Sequence, residues 1–104
     1  MRHAGQIVIE NVQVSLTAKV PGNARGYAAA KIAALAKYAP GPVEGAAVRL
    51  TTTADRRTKP RLVAHARLTV DGTAINAEAE AATYTEVVDL LHDRVRDQLL
   101  KLHN

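Results

Sequence analysis

The stretch RLVAHARLTVDGTAINAEAEA, residues 61–81, decides the fold. Apolar and polar residues alternate on both sides of Asp71-Gly72. An Asp-Gly pair between two alternating segments is typical of a β-hairpin with a two-residue turn. Such a turn pairs Val70 with Thr73 and fixes the register of both strands.

This register predicts which side chains face each other across the hairpin: Leu68 and Ile75, His65 and Glu78, Val63 and Glu80. One face of the first strand is then apolar and buried, through Leu62, Ala64, Ala66, Leu68 and Val70. The opposite face is basic, and Glu78 and Glu80 lie across from it, which favours a cross-strand charge match.

The flanking segments predict three more elements before and one after the hairpin. Period-two alternation predicts a strand over 43–53, and another over about 7–18 with a break near Asn11. Between them a helix is expected to begin at an Asn23 N-cap and to end before Pro40-Gly41-Pro42. Its apolar face consists of Ala24, Tyr27, Ala28, Ile32, Leu35 and Tyr38.

The last element is the clearest helix. Thr83 and Glu86 have the spacing of a capping box. An apolar stripe follows at helical spacing, formed by Tyr84, Val87, Val88, Leu91, Val95, Leu99 and Leu102. The element order β-α-β-β-β-α therefore predicts an α+β fold, a two-layer sandwich with both helices packed on one face of a four-stranded sheet. The other face would be wet, with Arg49, Arg61, His65, Arg67, Glu78 and Glu80 on it.

Length and composition restrict the function classes. The 104 residues suffice for a single domain, 1–104. The absence of Cys excludes disulfides and thiol catalysis, and no apolar run is long enough to span a membrane. No apolar segment follows the first five residues, so no secretory signal is predicted and a cytoplasmic location is expected.

Charge is unevenly distributed along the chain. The net charge is +4, but ten Lys and Arg and only two acidic residues lie between positions 19 and 67. Seven acidic residues and two Arg lie between positions 71 and 97. A basic segment of this kind is usually a solvated surface, yet it also favours a polyanionic partner contacted through phosphates.

No constellation of catalytic residues is apparent. Ser15 is the sole serine, and it has no flanking elbow motif. Asp89, His92 and Asp93 could form a weak metal site on one helix face, but an ordinary solvated face is the better interpretation. The glycines are scattered and form no phosphate loop. We therefore predict a protein that is not an enzyme, with no cofactor, metal or small-molecule substrate.

Two groups of motifs resemble a known family. Residues 77–81, AEAEA, are followed by Asp89-Leu90, by 93–95 and by Gln98-Leu99 at matching spacing. The first helix adds Arg25-x-Tyr27, Lys31-Ile32 and Leu35-x-Lys37-Tyr38. These motifs resemble the ribosome hibernation promoting factor family, also called protein Y or the sigma-54 modulation protein family, over about residues 7–102.

This resemblance implies a ribosome-binding domain. Such proteins bind the small ribosomal subunit in the channel used by mRNA and tRNA, and they stop translation in stationary phase or stress. Contact is mainly from basic side chains to 16S rRNA phosphates. The positions that the resemblance carries over are Arg25, Lys31, Lys37, Arg94 and Lys101. Charge alone adds Arg56, Arg57, Lys59 and Arg61. Long members add a C-terminal dimerisation domain, which we do not expect within these residues, so the sequence represents either a short-form protein or the N-terminal half of a longer one.

A second interpretation remains open. The second helix is less basic than the family pattern, with Arg96-Asp97 in reversed order and Leu100 before Lys101. The same fold could then serve as a protein-interaction or dimerisation module, including a homodimer, that has lost rRNA binding.

Overall fold

The computed structural model describes residues 12–16, 22–53 and 61–102. Four strands and two helices follow one another in the predicted order β-α-β-β-β-α, so the predicted α+β fold class is confirmed. The elements, with a 3₁₀ segment between α1 and β2, are β1 (Val12–Leu16), α1 (Ala24–Ala33), the 3₁₀ segment (Ala34–Tyr38), β2 (Val43–Thr52), β3 (Leu62–Val70), β4 (Thr73–Ala81) and α2 (Tyr84–Leu102).

The strands form one mixed sheet in the order β1-β2-β3-β4. β1 runs parallel to β2, whereas β2, β3 and β4 are antiparallel neighbours. The hairpin register is the predicted one, from Val70 opposite Thr73 to Val63 opposite Glu80. Asp71 and Gly72 both have positive φ, at 50° and 79°, as a type I′ turn requires.

Alternation along the strands separates the two faces of the sheet. One face packs against both helices and is built from small and branched aliphatic side chains, including Val48, Leu50, Leu68 and Ile75. Ala64, Ala66, Ala77 and Ala79 on this face are also buried. Because these alanines are short, the helices can lie close to the sheet, and a core without Phe or Trp still closes.

The helices contribute one buried stripe each. Ala24, Ala28 and Ile32 of α1 are buried, and so are Val87, Val88, Leu91, Val95 and Leu99 of α2. Leu102 is 37% exposed, so its predicted place in the stripe is wrong. No described helix is long and apolar enough to cross a membrane.

The first helix begins after Asn23 and the helical segment ends before Pro40, as predicted, but both ends differ in detail. Asn23 precedes the helix, but its side chain makes no cap hydrogen bond, since its amide oxygen accepts one from the Tyr84 hydroxyl at 3.1 Å. After Ala33 the chain tightens into 3₁₀ geometry, with Ala39 N–H donating to the Ala36 carbonyl at 3.1 Å. Ala39 itself is extended, because a residue before proline disfavours helix.

All the described residues of the predicted first strand, Val12–Leu16, are in strand conformation. Val14 is buried and Gln13 and Ser15 are exposed, so the inward set of the predicted strand is correct. The remainder of the predicted strand, with the break near Asn11, lies outside the described residues, as does the basic connection at 55–60.

Candidate nucleic-acid interface

Six of the nine predicted contact residues lie in the described part of the chain, and they occupy three places in the fold. Arg25, Lys31 and Lys37 belong to the helical layer, on α1 and the 3₁₀ segment. Arg94 and Lys101 lie on α2. Arg61 lies just before β3, on the open face of the sheet. The structure therefore does not gather these six into one surface, and Arg56, Arg57 and Lys59 lie outside the described residues.

Lys31 lies between the two helices. Its Nζ is 3.5 Å from Asp89 Oδ1 and 5.7 Å from the centre of the Tyr27 ring. The Lys31 and Asp89 side chains remain 40% and 52% exposed. An exposed ion pair of this kind is worth about 0–1 kcal/mol, so Lys31 can exchange Asp89 for another anion at small cost.

Lys37 is exposed, and its Nζ lies 5.2 Å from the centre of the Tyr38 ring. The aromatic face limits where the long side chain can go but does not neutralise its charge. The structure gives Lys37 no carboxylate partner among the described residues. Lys37 is therefore available for a phosphate contact on the helical layer.

Two of the arginines donate hydrogen bonds to backbone carbonyls at the edges of the sheet. Arg25 donates to the Val14 carbonyl of β1, and Arg94 donates to the Glu78 carbonyl of β4. Among the described residues these strands lie at the two edges of the sheet, so their outward carbonyls have no neighbouring strand there. These two predicted contact residues thus have a structural partner, which sequence reasoning did not anticipate because it depends on helix placement.

Arg61 is paired as well. Its Nε donates to Glu80 Oε2 at 2.8 Å, with both side chains about half exposed. This is the predicted cross-strand charge match, formed on the diagonal, because the residue directly opposite Glu80 is Val63, two positions after Arg61. Lys101 is exposed in the last turn of α2, where a cation also suits the helix dipole.

The acidic residues of α2 have local partners rather than a metal-binding arrangement. Asp89 accepts a hydrogen bond from the Tyr27 hydroxyl, and Asp93 lies 3.1 Å from His92 Nδ1 and 3.8 Å from Arg96. No cluster suited to a metal ion occurs in the described residues. Within the same residues, no polar or charged side chain is buried.

Sequence reasoning missed two exposed arginines on the open face of the sheet, Arg49 and Arg67. Each was assigned to the wet face but not to a site, because alternation predicts exposure and does not predict neighbours. The register places Arg49 opposite His65, and Arg67 opposite Ala47. The pairing of β2 with β3 could have identified them, because it places the two arginines diagonally opposite each other on neighbouring strands.

Together these features define a small two-layer α+β domain with cations on both its helical layer and its open sheet face. The family model described as "Sigma 54 modulation protein / S30EA ribosomal protein" matches residues 7–104, and the chain belongs to this family. The family resemblance seen in the sequence motifs is thereby confirmed. No curated protein has a significantly similar sequence.

Two solved structures share the fold. A ribosomal subunit interface protein from Coxiella burnetii matches with a TM-score of 0.69 and 20% identity, over 88% of this chain and 96% of that chain. The Thermus thermophilus Protein Y N-terminal domain matches with a TM-score of 0.68 and 22% identity, over 88% and 94%. At such identities the likeness establishes a common fold.

Proposed function

We propose that this protein binds the small ribosomal subunit in the channel used by mRNA and tRNA, contacts 16S rRNA through phosphates, and silences translation in stress or stationary phase. The observation that carries the proposal is the family match over 98 of the 104 residues, 7 to 104 inclusive. The names of the structural neighbours, a ribosomal subunit interface protein and Protein Y, agree with it. A role at the ribosome implies a cytoplasmic location and requires no catalytic activity.

Lys31 and Lys37 are the described residues best suited to these contacts. Both are basic, both lie on the helical layer, and neither is held by a strong intramolecular pair. Arg56, Arg57 and Lys59 join them in the proposal on charge alone. Arg25, Arg61 and Arg94 stay as secondary candidates, because each would have to share or leave an intramolecular partner. Lys101 joins them because it already interacts with the negative end of the α2 dipole.

Co-sedimentation with purified small subunits tests the proposal. Each phosphate contact adds about 0.7–0.9 to the slope of log affinity against log salt, so Lys31→Gln and Lys37→Gln should each weaken binding about fivefold near 0.1 M salt. Arg96→Gln is the matched control. It removes the same charge from α2, where Asp93 and Asp97 flank Arg96, and should leave affinity unchanged. Equal binding by all three variants would rule out the two lysines as contacts.

A protein-interaction module is the second candidate function, because four of the six described contact candidates have intramolecular partners. In that case the chain would bind another protein or a second copy of itself and would not bind rRNA. Self-association that is insensitive to salt, with no co-sedimentation at low salt, would favour this candidate. Domain organisation as one ribosome-binding unit is part of the first proposal and fails with it.

A further inference from the structure

The open face of the sheet carries a shallow trough that runs along β2. Two depressions of about 420 Å³ and about 250 Å³ meet there and share Ala47 and Arg67 in their walls. Hereafter the β2 trough is the surface formed by Gln13, Ser15, Ala47, Arg49, His65 and Arg67.

The register explains why the trough exists. Gln13, Ala47 and Arg67 form one row across β1, β2 and β3, and Ser15, Arg49 and His65 form the next. All these side chains project from the sheet face that is opposite the helices. Ala47 is the smallest of them, and Gly45 precedes it on the same face, so the floor lies low while longer polar side chains rise on both sides.

The trough is positively charged. Arg49 and Arg67 are diagonal neighbours on adjacent strands, and residues in this relation lie about 7–8 Å apart across the two strands. The structure gives neither arginine an acidic partner among the residues it describes. Three acids border this surface: Glu80 pairs with Arg61 at 2.8 Å, and Glu44, which lines the larger depression, accepts from the Gly72 N–H at 2.9 Å. Glu78 borders the trough on β4, opposite His65 and diagonal to Arg67.

We infer that the β2 trough binds the sugar-phosphate backbone of RNA. Guanidinium groups match phosphate oxygens with paired N–H donors, and the Ser15 hydroxyl and Gln13 amide add donors beside them. The described part of this face has no Phe, Tyr or Trp on which bases could stack, so contact through phosphates is the mode that fits.

An acidic protein surface is the competing occupant, and the trough suits it less well. Protein interfaces depend on aromatic or aliphatic anchors that fill well-packed pockets. The trough is wide and polar and offers no such pocket. The inference rests on the proposed function and deepens it, since it adds an RNA contact on the side of the sheet opposite Lys31 and Lys37.

The test measures fluorescence anisotropy of a labelled oligouridylate of about 12 nucleotides with the full chain, a length within the range that small nucleic-acid-binding folds occupy. Arg49→Gln/Arg67→Gln should bind about 25-fold more weakly near 0.1 M salt, and its salt slope should be smaller by about 1.4, because two single-strand phosphate contacts are lost. Arg96→Gln should bind like the original protein. Since Arg49 and Arg67 are exposed, the melting temperature of the double variant should be unchanged.

Backbone amide NMR shifts locate the contact independently of affinity. The oligouridylate should shift the signals of Ala47, His65 and Arg67 in the original protein, and polyglutamate should not. Shifts confined to α1 and α2, or unchanged affinity of the double variant, would overturn the inference. A response to polyglutamate without one to RNA would instead assign the trough to an acidic protein and would also overturn it.

The same variants separate this inference from the proposed function. If the original protein sediments with small subunits and the double variant does so with an unchanged salt slope, the trough makes no RNA contact and the proposed function stands. If the original protein does not sediment, the proposed function fails. The oligouridylate measurement then still decides whether the trough binds RNA.

Discussion

Tyr27 joins the two helices through both its ring and its hydroxyl. The ring packs edge-on against Tyr84, with centroids 5.8 Å apart and planes at 88°. The hydroxyl donates a hydrogen bond to Asp89, which also pairs with Lys31. Sequence periodicity predicted Tyr27 as part of an apolar stripe, but it could not predict this polar contact, because Asp89 is 62 positions away in the chain.

The hydrogen bond from the Tyr27 hydroxyl to Asp89 makes the free energy of unfolding decrease at alkaline pH. The hydrogen bond to Asp89, followed by partial burial and the charge of Asp89, raises the pKa of Tyr27 above its ordinary value of 10.0. The neutral hydroxyl is therefore favoured in the folded state. The stability it adds is fully present below about pH 10 and is lost as the pH rises through the higher folded pKa.

We expect Tyr27→Phe to remove this part of the alkaline decline in the free energy of unfolding. Urea unfolding from about pH 9 to 11, with tyrosinate absorbance followed in parallel, measures it. An identical alkaline decline in both proteins would show that the Asp89 contact does not hold the proton.

Replacing two glycines with alanine should change the free energy of unfolding in opposite directions. Gly72 has φ +79°, which L residues rarely adopt, so Gly72→Ala should lower the free energy of unfolding by about 1 kcal/mol. Gly26 lies inside α1 with open space around its Cα, so Gly26→Ala should raise that free energy by about 0.5 kcal/mol through helix propensity. Urea unfolding of both variants checks the pair, and a loss of stability in Gly26→Ala would contradict the account.

At the scale of elements, local periodicity in the sequence predicted most of the fold. It predicted the hairpin register, the buried faces of β2 and β3 and the start of α2, because each depends on residues close together in sequence. The Thr83 hydroxyl indeed accepts from the Glu86 N–H at 3.3 Å, although its own proton goes to the Glu86 carboxylate at 2.9 Å. The Glu86 carboxylate thus bonds to the Thr83 hydroxyl instead of the Thr83 backbone N–H that a capping box uses.

Features that depend on distant partners were not predictable from the pattern. The cap role of Asn23 is replaced by its bond to Tyr84, and α1 tightens into 3₁₀ geometry after Ala33. The partners of Arg25 and Arg94 follow from where each helix crosses the sheet. Contact candidates chosen by charge therefore identified exposed cations without indicating which were already engaged.

The free edge of β4 is covered by side chains from α2. Asn76 and Glu78 occupy the hairpin positions whose carbonyls point away from β3. Gln98 Nε2 donates to the Asn76 carbonyl at 2.6 Å, and Arg94 donates to the Glu78 carbonyl. Residues four positions apart on α2 thus contact residues two positions apart on β4.

Removing the Arg94 and Gln98 contacts should allow the edge of β4 to pair with a strand of another molecule. We expect Arg94→Ala/Gln98→Ala to self-associate at raised protein concentration, because exposed edge carbonyls can accept hydrogen bonds from another strand. Sedimentation velocity measures it, with Arg96→Ala as a control that changes the same helix away from the edge. If the double variant stays as dispersed as the control, the two contacts do not protect the edge.

The whole molecule presents two different surfaces to a partner. The helices run in the same direction, since Asn23 contacts Tyr84 near their starts and Lys31 contacts Asp89 further along. Lys31 and Lys37 belong to that layer, while Arg49 and Arg67 lie on the opposite face of the sheet. Cations on both faces agree with the proposed binding site, a channel with RNA on more than one side.

Co-sedimentation of the full chain with purified small ribosomal subunits over a salt series tests this account most directly. We predict binding at about 50 mM salt that falls steeply toward 200 mM, because phosphate contacts release counterions. Lys31→Gln/Lys37→Gln and Arg49→Gln/Arg67→Gln should each lower both the affinity and the slope. No binding at low salt, or binding that does not change with salt, would contradict the account.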